Sequence, residues 1–162
     1  MEEKTDYKKA FDYSIRLLSL RDYSIHKMKS KLKERGINPI ISEEVINKLL
    51  DYNYIREDEY KRMRTKQLIV KGFSDSYIIQ KLLQEELYTH LTEINDLRIE
   101  QNLHCDDQIR YLIEKKIRHK EIPSDYDSFQ KLKLKIVNFL ASKGYKYNQI
   151  NNHIEEILNA RS

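Results

Sequence analysis

Three segments of the chain share one order of residues: RDYSIHKMKSKL at 21–32, KGFSDSYIIQKL at 71–82 and KGYKYNQINNHI at 143–154. Each has a basic residue, one spacer, an aromatic, a polar gap, then apolar residues four apart. The correspondence extends outside the quoted stretches. Leu18, Arg21, Tyr23, Met28, Leu32 and Ile37 recur 50 positions later as Leu68, Lys71, Phe73, Ile78, Leu82 and Leu87. A further 72 positions on stand Leu140, Lys143, Tyr145, Ile150 and Ile154, with Gly144 answering Gly72. A helix, a corner and a second helix therefore occur three times. Units this small cannot bury an apolar face alone, so neighbours must stack. Stacked units make an elongated, curved molecule with a long surface rather than a deep pocket, which favours binding over catalysis.

The rest of the pattern is helical. With only 3 Gly and 2 Pro in 162 residues, the chain has little material for tight turns or hairpins. Apolar residues recur at helical spacing. Tyr7, Ala10, Phe11, Ser14 and Leu18 share a face of a first helix. Ser24 suits the N-cap of a second, carrying Ile25, Met28 and Leu32 and stopping at Gly36. Ser42, followed by Glu43 and Glu44, is expected to open a third, and Glu57, Asp58 and Glu59 a fourth that runs to about Lys71. Further helices are expected near 74–86, 91–102, 106–119, 125–143 and 146–160. The fold class expected is all-α, an elongated, curved array of about nine helices, divided into repeats at 1–55, 56–104 and 105–162.

The corners have a conformational logic. Gly72 and Gly144 can take the left-handed backbone that ends a helix, and Asp22 is expected to fill that place in the first copy. The aromatics just beyond, Tyr23, Phe73 and Tyr145, are expected in the core.

Charge is arranged in blocks. Residues 1–71 hold 17 basic against 12 acidic side chains, residues 72–108 hold 2 against 8, and residues 109–162 hold 11 against 6. Two basic ends flank an acidic centre, so an anionic partner is attracted at two places. On the second helix Lys27, Lys31 and Arg35 fall four apart, with Lys29 and Lys33 beside them. Arg62, Lys66 and Lys71 form a weaker stripe on the fourth helix, and Lys131, Lys135, Lys143 and Lys146 one near the C-terminus. Together with Arg21, the residues Lys27, Lys31, Arg35, Arg62, Lys66, Lys71, Lys143 and Lys146 are the candidates for contact with a protein or DNA partner. Phosphate binding, an acidic protein groove and an ordinary solvated face all account for such stripes. The 12 tyrosines either stack on a partner or fill shallow repeat cores.

Catalytic chemistry has no convincing carrier. HCDD at 104–107 is dense in ligand types, but adjacent residues splay around a helix axis, and the simpler reading is a cap of Asp106 and Asp107 beside an inert Cys105. The acids in REDEY at 56–60 belong at a helix N-terminus more readily than in a metal-dependent nuclease. There is no glycine-rich phosphate loop and no nucleophile elbow. The chain is expected to be no enzyme and to need no cofactor. A single cysteine excludes an internal disulfide, and neither a signal-peptide core nor a membrane-length apolar run is present. A cytoplasmic location and a monomeric state are expected.

The corners, with LLDYNYIREDEY at 49–60, resemble the RecX family, small regulators of the bacterial recombinase RecA. The family pattern A-x-x-L-L-S-x-R-x-x-S-x-x-E-L-x-x-K-L is met by Leu17, Leu18, Ser19, Arg21, Ser24, Lys31 and Leu32. L-x-x-x-G-Y-I-D-D-x-x-F-A is met by Leu50, Tyr54, Ile55 and Tyr60. K-G-x-x-x-x-x-I-x-x-x-L is met by Lys71, Gly72, Ile78 and Leu82, and F-L-x-x-x-G-F-x-x-x-x-I by Phe139, Leu140, Gly144, Tyr145 and Ile150. The chain departs from the family at His26–Lys27–Met28, at Asn53 in place of glycine, at Arg56–Glu57 in place of an acidic pair, and at Lys61 in place of alanine. The resemblance spans about residues 10 to 158. It implies tandem three-helix repeats that bind the RecA–DNA filament and inhibit its ATP hydrolysis, extension and strand exchange. The SOS response and DNA repair are the implied setting, with single- or double-stranded DNA as a further partner. The alternative is a sequence-independent DNA-binding helical repeat protein that does not act through a recombinase.

Overall fold

The computed structural model describes residues 2–119 and 121–159. Among the described residues there are nine α-helices and no strand: α1 (Glu2–Leu18), α2 (Ile25–Glu34), α3 (Pro39–Asp51), α4 (Glu57–Val70), α5 (Asp75–Gln84), α6 (Leu91–Glu100), α7 (Cys105–Ile117), α8 (Tyr126–Ala141) and α9 (Tyr147–Asn159). Ala160, the expected end of the last helix, lies outside the described residues.

The chain divides into two compact units, Met1–Arg64 with Leu82–Leu87, and Thr65–Lys81 with Tyr88–Ser162. In the first, α1, α2 and α3 pack on one another around Ala10, Tyr23, Met28, Leu32, Val45, Ile46, Leu49 and Ile55. In the second, α7, α8 and α9 pack around a core that includes Ile109, Ile113, Ile136, Leu140, Ile150 and Ile154. Each core is drawn from one apolar stripe per helix, and burial of each such side chain contributes about 1.5–3 kcal/mol.

The repeat shows in burial and in backbone bonding. Met28, Ile78 and Ile150 are all fully buried, as are Leu32 and Leu82, and Ile154 nearly so. Leu68 and Leu140, equivalent by position, accept the Phe73 and Tyr145 N–H groups at 3.3 and 3.2 Å, while Leu32 and Leu82 accept those of Ile37 and Leu87 at 3.0 and 2.9 Å. These are the long bonds of the Schellman helix stop, in which a left-handed residue ends the helix and the next N–H reaches back five positions. The left-handed residues are Gly36, Asn53, Gly72, Glu86, Asn102 and Gly144, so α2, α3, α4, α5, α6 and α8 all end alike. Asn53, the departure from glycine, keeps the turn at φ 56° because a short amide side chain tolerates that region.

Four expectations are corrected. Asp22 does not hold a left-handed backbone, since α1 stops at Leu18 and the Arg21 N–H bonds back to the Leu17 carbonyl. α3 opens before Ser42: Asn38 is its N-cap, accepting the Ile40 N–H at 2.8 Å, and Pro39 takes the first turn, where a missing N–H costs nothing. Asp106 and Asp107 lie in the first turn of α7, whose N-cap is His104, so they serve the helix dipole rather than cap the helix. Phe73 is half-buried, stacked on Tyr77 with centroids 4.5 Å apart, whereas Tyr23 and Tyr145 are buried as expected. Ser24 does cap α2, accepting the Lys27 N–H at 3.2 Å, and Ser74 accepts the Tyr77 N–H at 3.3 Å in the second copy. At the third corner Lys146 stands in the serine's place, and the Gln149 side chain accepts the Lys146 N–H at 3.1 Å.

Candidate partner-binding surface

The expected basic stripe on α2 is largely engaged within the first unit. The Lys27 ammonium donates to the Tyr60 hydroxyl at 2.6 Å and lies 2.9 Å from Glu85, in the turn that follows α5. Burial pulls its pKa down, but bonds to Tyr60 and Glu85 outweigh that and hold it above the usual lysine value. Arg64 shares the same carboxylate, at 2.8 Å. Lys31 pairs with Glu34 at 2.6 Å, Arg35 lies 4.8 Å from the Tyr13 ring, and Arg21 donates to the Tyr23 hydroxyl at 3.0 Å. What α2 leaves to solvent are its flanking lysines, Lys29 and Lys33. α2 has no acid of its own in the first turn. Glu57 of α4 supplies one, accepting the Ile25 N–H at 2.9 Å.

In the second unit Lys66 pairs with Glu100 at 2.7 Å, while Lys71 and Lys146 are exposed. Arg62, on the first unit's part of α4, is also exposed. Lys143 is half-buried, and its ammonium donates to the Lys71 carbonyl at 2.6 Å. It lies 4.7 Å from the Phe73 ring and 5.5 Å from that of Phe139. Desolvation, then the nearby Lys115 charge, push its pKa down. Lys116 lies 4.6 Å from the same Phe139 ring. Lys115, Lys116 and Lys143 thus converge with no carboxylate paired to any of them among the described residues. Residue patterns singled out Lys143 but missed Lys115 and Lys116. Their signal is the basic last turn of α7, indistinguishable in sequence from ordinary dipole compensation.

The second unit also holds a buried charge with little signature in the residue pattern. Arg98 is 3% exposed and donates to Asp75 at 2.7 Å, to the Gln108 side chain at 2.9 Å, and to the Phe73 and Leu103 carbonyls at 2.9 and 3.2 Å. Gln108 in turn donates to the Ile69 carbonyl at 2.7 Å. The Tyr145 hydroxyl reaches Gln108 at 3.4 Å, and burial pushes the phenol far above its usual pKa. This network ties the second and third corners together. Its place in the sequence, an arginine in line with Ile94 and Leu97, is the only outward sign. Cys105 nearby is half-buried, and burial raises its pKa, which lowers its thiolate fraction.

Among the described residues no group of three or more His, Cys, Asp or Glu side chains is placed to hold a metal, and no helix is long and apolar enough to cross a membrane. The surface offers cations and aromatics, which is equipment for binding.

Two family descriptions match the chain, the first three-helix domain of RecX at residues 10–49 and the third at residues 105–154, together more than half its length. "Regulatory protein RecX" of Vibrio parahaemolyticus is 28% identical over 137 residues, covering 85% of this chain and 84% of the relative. That of Syntrophotalea carbinolica is 31% identical over 72 residues, covering 44% and 45%. A crystal structure of RecX from Lactobacillus salivarius superposes with a TM-score of 0.67 at 21% identity, covering 94% of this chain and 97% of that one. A second RecX crystal structure gives 0.68 at 18% identity, covering 93% and 74%. With both domain descriptions in place along one chain and the fold of solved RecX proteins over nearly its whole length, the chain belongs to the RecX family of regulatory proteins.

Proposed function

We propose that this protein regulates the RecA recombinase, chiefly as an inhibitor, by binding the RecA–DNA filament and suppressing its ATP hydrolysis, extension and strand exchange without chemistry of its own. The observation that carries the reading is the match to both a first and a third RecX domain on one chain. Lys115, Lys116 and Lys143 support it, because cations brought together without internal carboxylates lower their mutual repulsion when an anionic partner arrives. Lys71 and Lys146 extend the same contact, and Arg21, Arg35 and Arg62 are the candidates on the first unit. The protein acts as a cytoplasmic monomer whose repeats divide at 55/56 and 104/105.

The test is DNA-dependent ATP hydrolysis by the cognate recombinase on single-stranded DNA, with this protein titrated in below stoichiometry. Potent inhibition, weakened by Lys115→Glu with Lys116→Glu, is expected. No effect on hydrolysis, with binding to bare DNA retained and steeply salt-dependent, would move the assignment to a sequence-independent DNA-binding protein. The unpaired lysines favour that second reading equally, which is why hydrolysis must be measured.

A further inference from the structure

Between α2 and α3 of the first unit lies an open groove of about 340 Å³, lined by Lys29, Lys33, Ile37, Pro39, Ser42 and Glu43. Its chemistry is asymmetric. Lys29 and Lys33 stand one helical turn apart and are exposed, and neither makes an ion pair or side-chain hydrogen bond among the described residues. Lys27 and Lys31, on the same helix, are both paired. Ile37 and Pro39 provide apolar surface, with Ile40 71% exposed directly after them. Ser42 also lines the groove while only 8% exposed, and its hydroxyl makes no hydrogen bond among the described residues. Glu43 completes the lining as an acceptor.

Each class of occupant makes a different demand. A nucleic-acid backbone would use the two lysines but leave the apolar surface unused. A purely apolar segment would leave Lys29 and Lys33 without a role. A peptide with carboxylates at one end and an apolar side chain after them uses every lining group. Its acids meet Lys29 and Lys33, its apolar side chain covers Ile37 and Pro39, and its backbone finds Ser42 as donor and Glu43 as acceptor.

We propose that the groove between α2 and α3 is a docking site for an acidic peptide segment of a partner protein, carrying an apolar anchor beside its carboxylates. The proposal goes beyond recombinase regulation and is tested without a recombinase, so either reading can fail alone.

The experiment is fluorescence anisotropy with the full chain and a labelled twelve-residue probe rich in Asp and Glu and carrying one Leu. Saturable binding is expected, weakened at least about tenfold by Lys29→Glu with Lys33→Glu, a loss of the size that removing two charge-assisted contacts brings. Replacing the probe's Leu by Asn should weaken binding by about tenfold or more, one buried apolar side chain's worth. Circular dichroism should show unchanged helix content, since both lysines are exposed. Lys131→Glu with Lys135→Glu on α8 carries the same charge change and should leave the affinity as it was. Equal loss from that control would reduce the binding to net charge and overturn the proposal. So would indifference to the probe's Leu. A labelled oligothymidylate that loses affinity with the groove variant as strongly as the peptide does would overturn it in favour of a phosphate-binding face.

Discussion

Lys143 donates its ammonium to the backbone carbonyl of Lys71 at 2.6 Å, so two residues that hold the same place in successive copies of the repeat are bonded to each other. The neighbouring positions do likewise. The Ser74 N–H bonds to the Lys143 carbonyl at 3.0 Å, and the Ser74 hydroxyl to that of Gly144 at 2.8 Å. The third corner is therefore seated on the second, and the contact sets the first prediction.

Gly144 sits at φ 89°, and a Cβ there would lie 2.5 Å from both the Ser74 Oγ and the Tyr77 Cβ. Gly36 has a similar φ of 77° but open space around it. Gly36→Ala should cost about 1–2 kcal/mol, the left-handed penalty alone. Gly144→Ala should cost more than that, about 3 kcal/mol or above, because Tyr77 Cβ is fixed by its helix. Urea denaturation of both variants measures the difference, and equal losses would show that the corners are not in tight contact.

Arg98 serves Asp75, Gln108 and two carbonyls from a site almost closed to water. Arg98→Ala leaves those acceptors unpaired, and a loss of about 3–5 kcal/mol is expected. Lysine at this place cannot reproduce the fork of donors and should recover less than half of the loss. A loss below 1 kcal/mol in denaturant titration would remove the network from the account of stability.

Glu86 ends α5 at φ 58° with no short polar side chain to favour that region. Its side chain lies 3.2 Å from His26 in a partly exposed contact. Glu86→Gly should stabilise the protein by about 0.5–1 kcal/mol, the strain relieved exceeding a surface pairing worth less. A rise in the thermal midpoint is the expected reading, and a fall would assign the pairing with His26 the larger share.

Glu85 gives a pH signature. Burial alone would raise its pKa, but hydrogen bonds and charge from Lys27 and Arg64 outweigh it and hold the carboxyl below the usual range. A depressed folded pKa contributes stability above the unfolded value near 4.3, lost as pH falls through the folded one. Glu85→Gln should therefore be less stable at pH 7, by about 1–3 kcal/mol for charge-assisted bonds, and close to the parent well below pH 4. A gap that persisted at pH 3 would make the loss one of packing.

Legibility in the sequence followed the physics of each feature. Stripes such as Met28 and Leu32, or Ile150 and Ile154, announced both helix and buried face, because helical spacing is a one-dimensional signal. Ser24 announced a cap for the same reason. Ser42 with Glu43 and Glu44 mimics a helix start, whereas the true one is Asn38–Pro39, an amide before proline. The surface was harder to read. Lys27 and Lys31 look identical to Lys29 and Lys33 until Glu85 and Glu34 are placed beside the first pair. Arg98 joins groups from positions 73 to 108, and no spacing rule reaches between them.

The six left-handed helix stops among the described residues are written with three glycines, two asparagines and a glutamate. What makes each connection is a torsion angle and two backbone bonds, and none of these is a side-chain property. Two chains can thus share all six stops while agreeing on few of the letters that spell them. A fold can in this way outlast the letters that spell it, and this chain shares its fold with a RecX crystal structure at a TM-score of 0.67 and 21% identity.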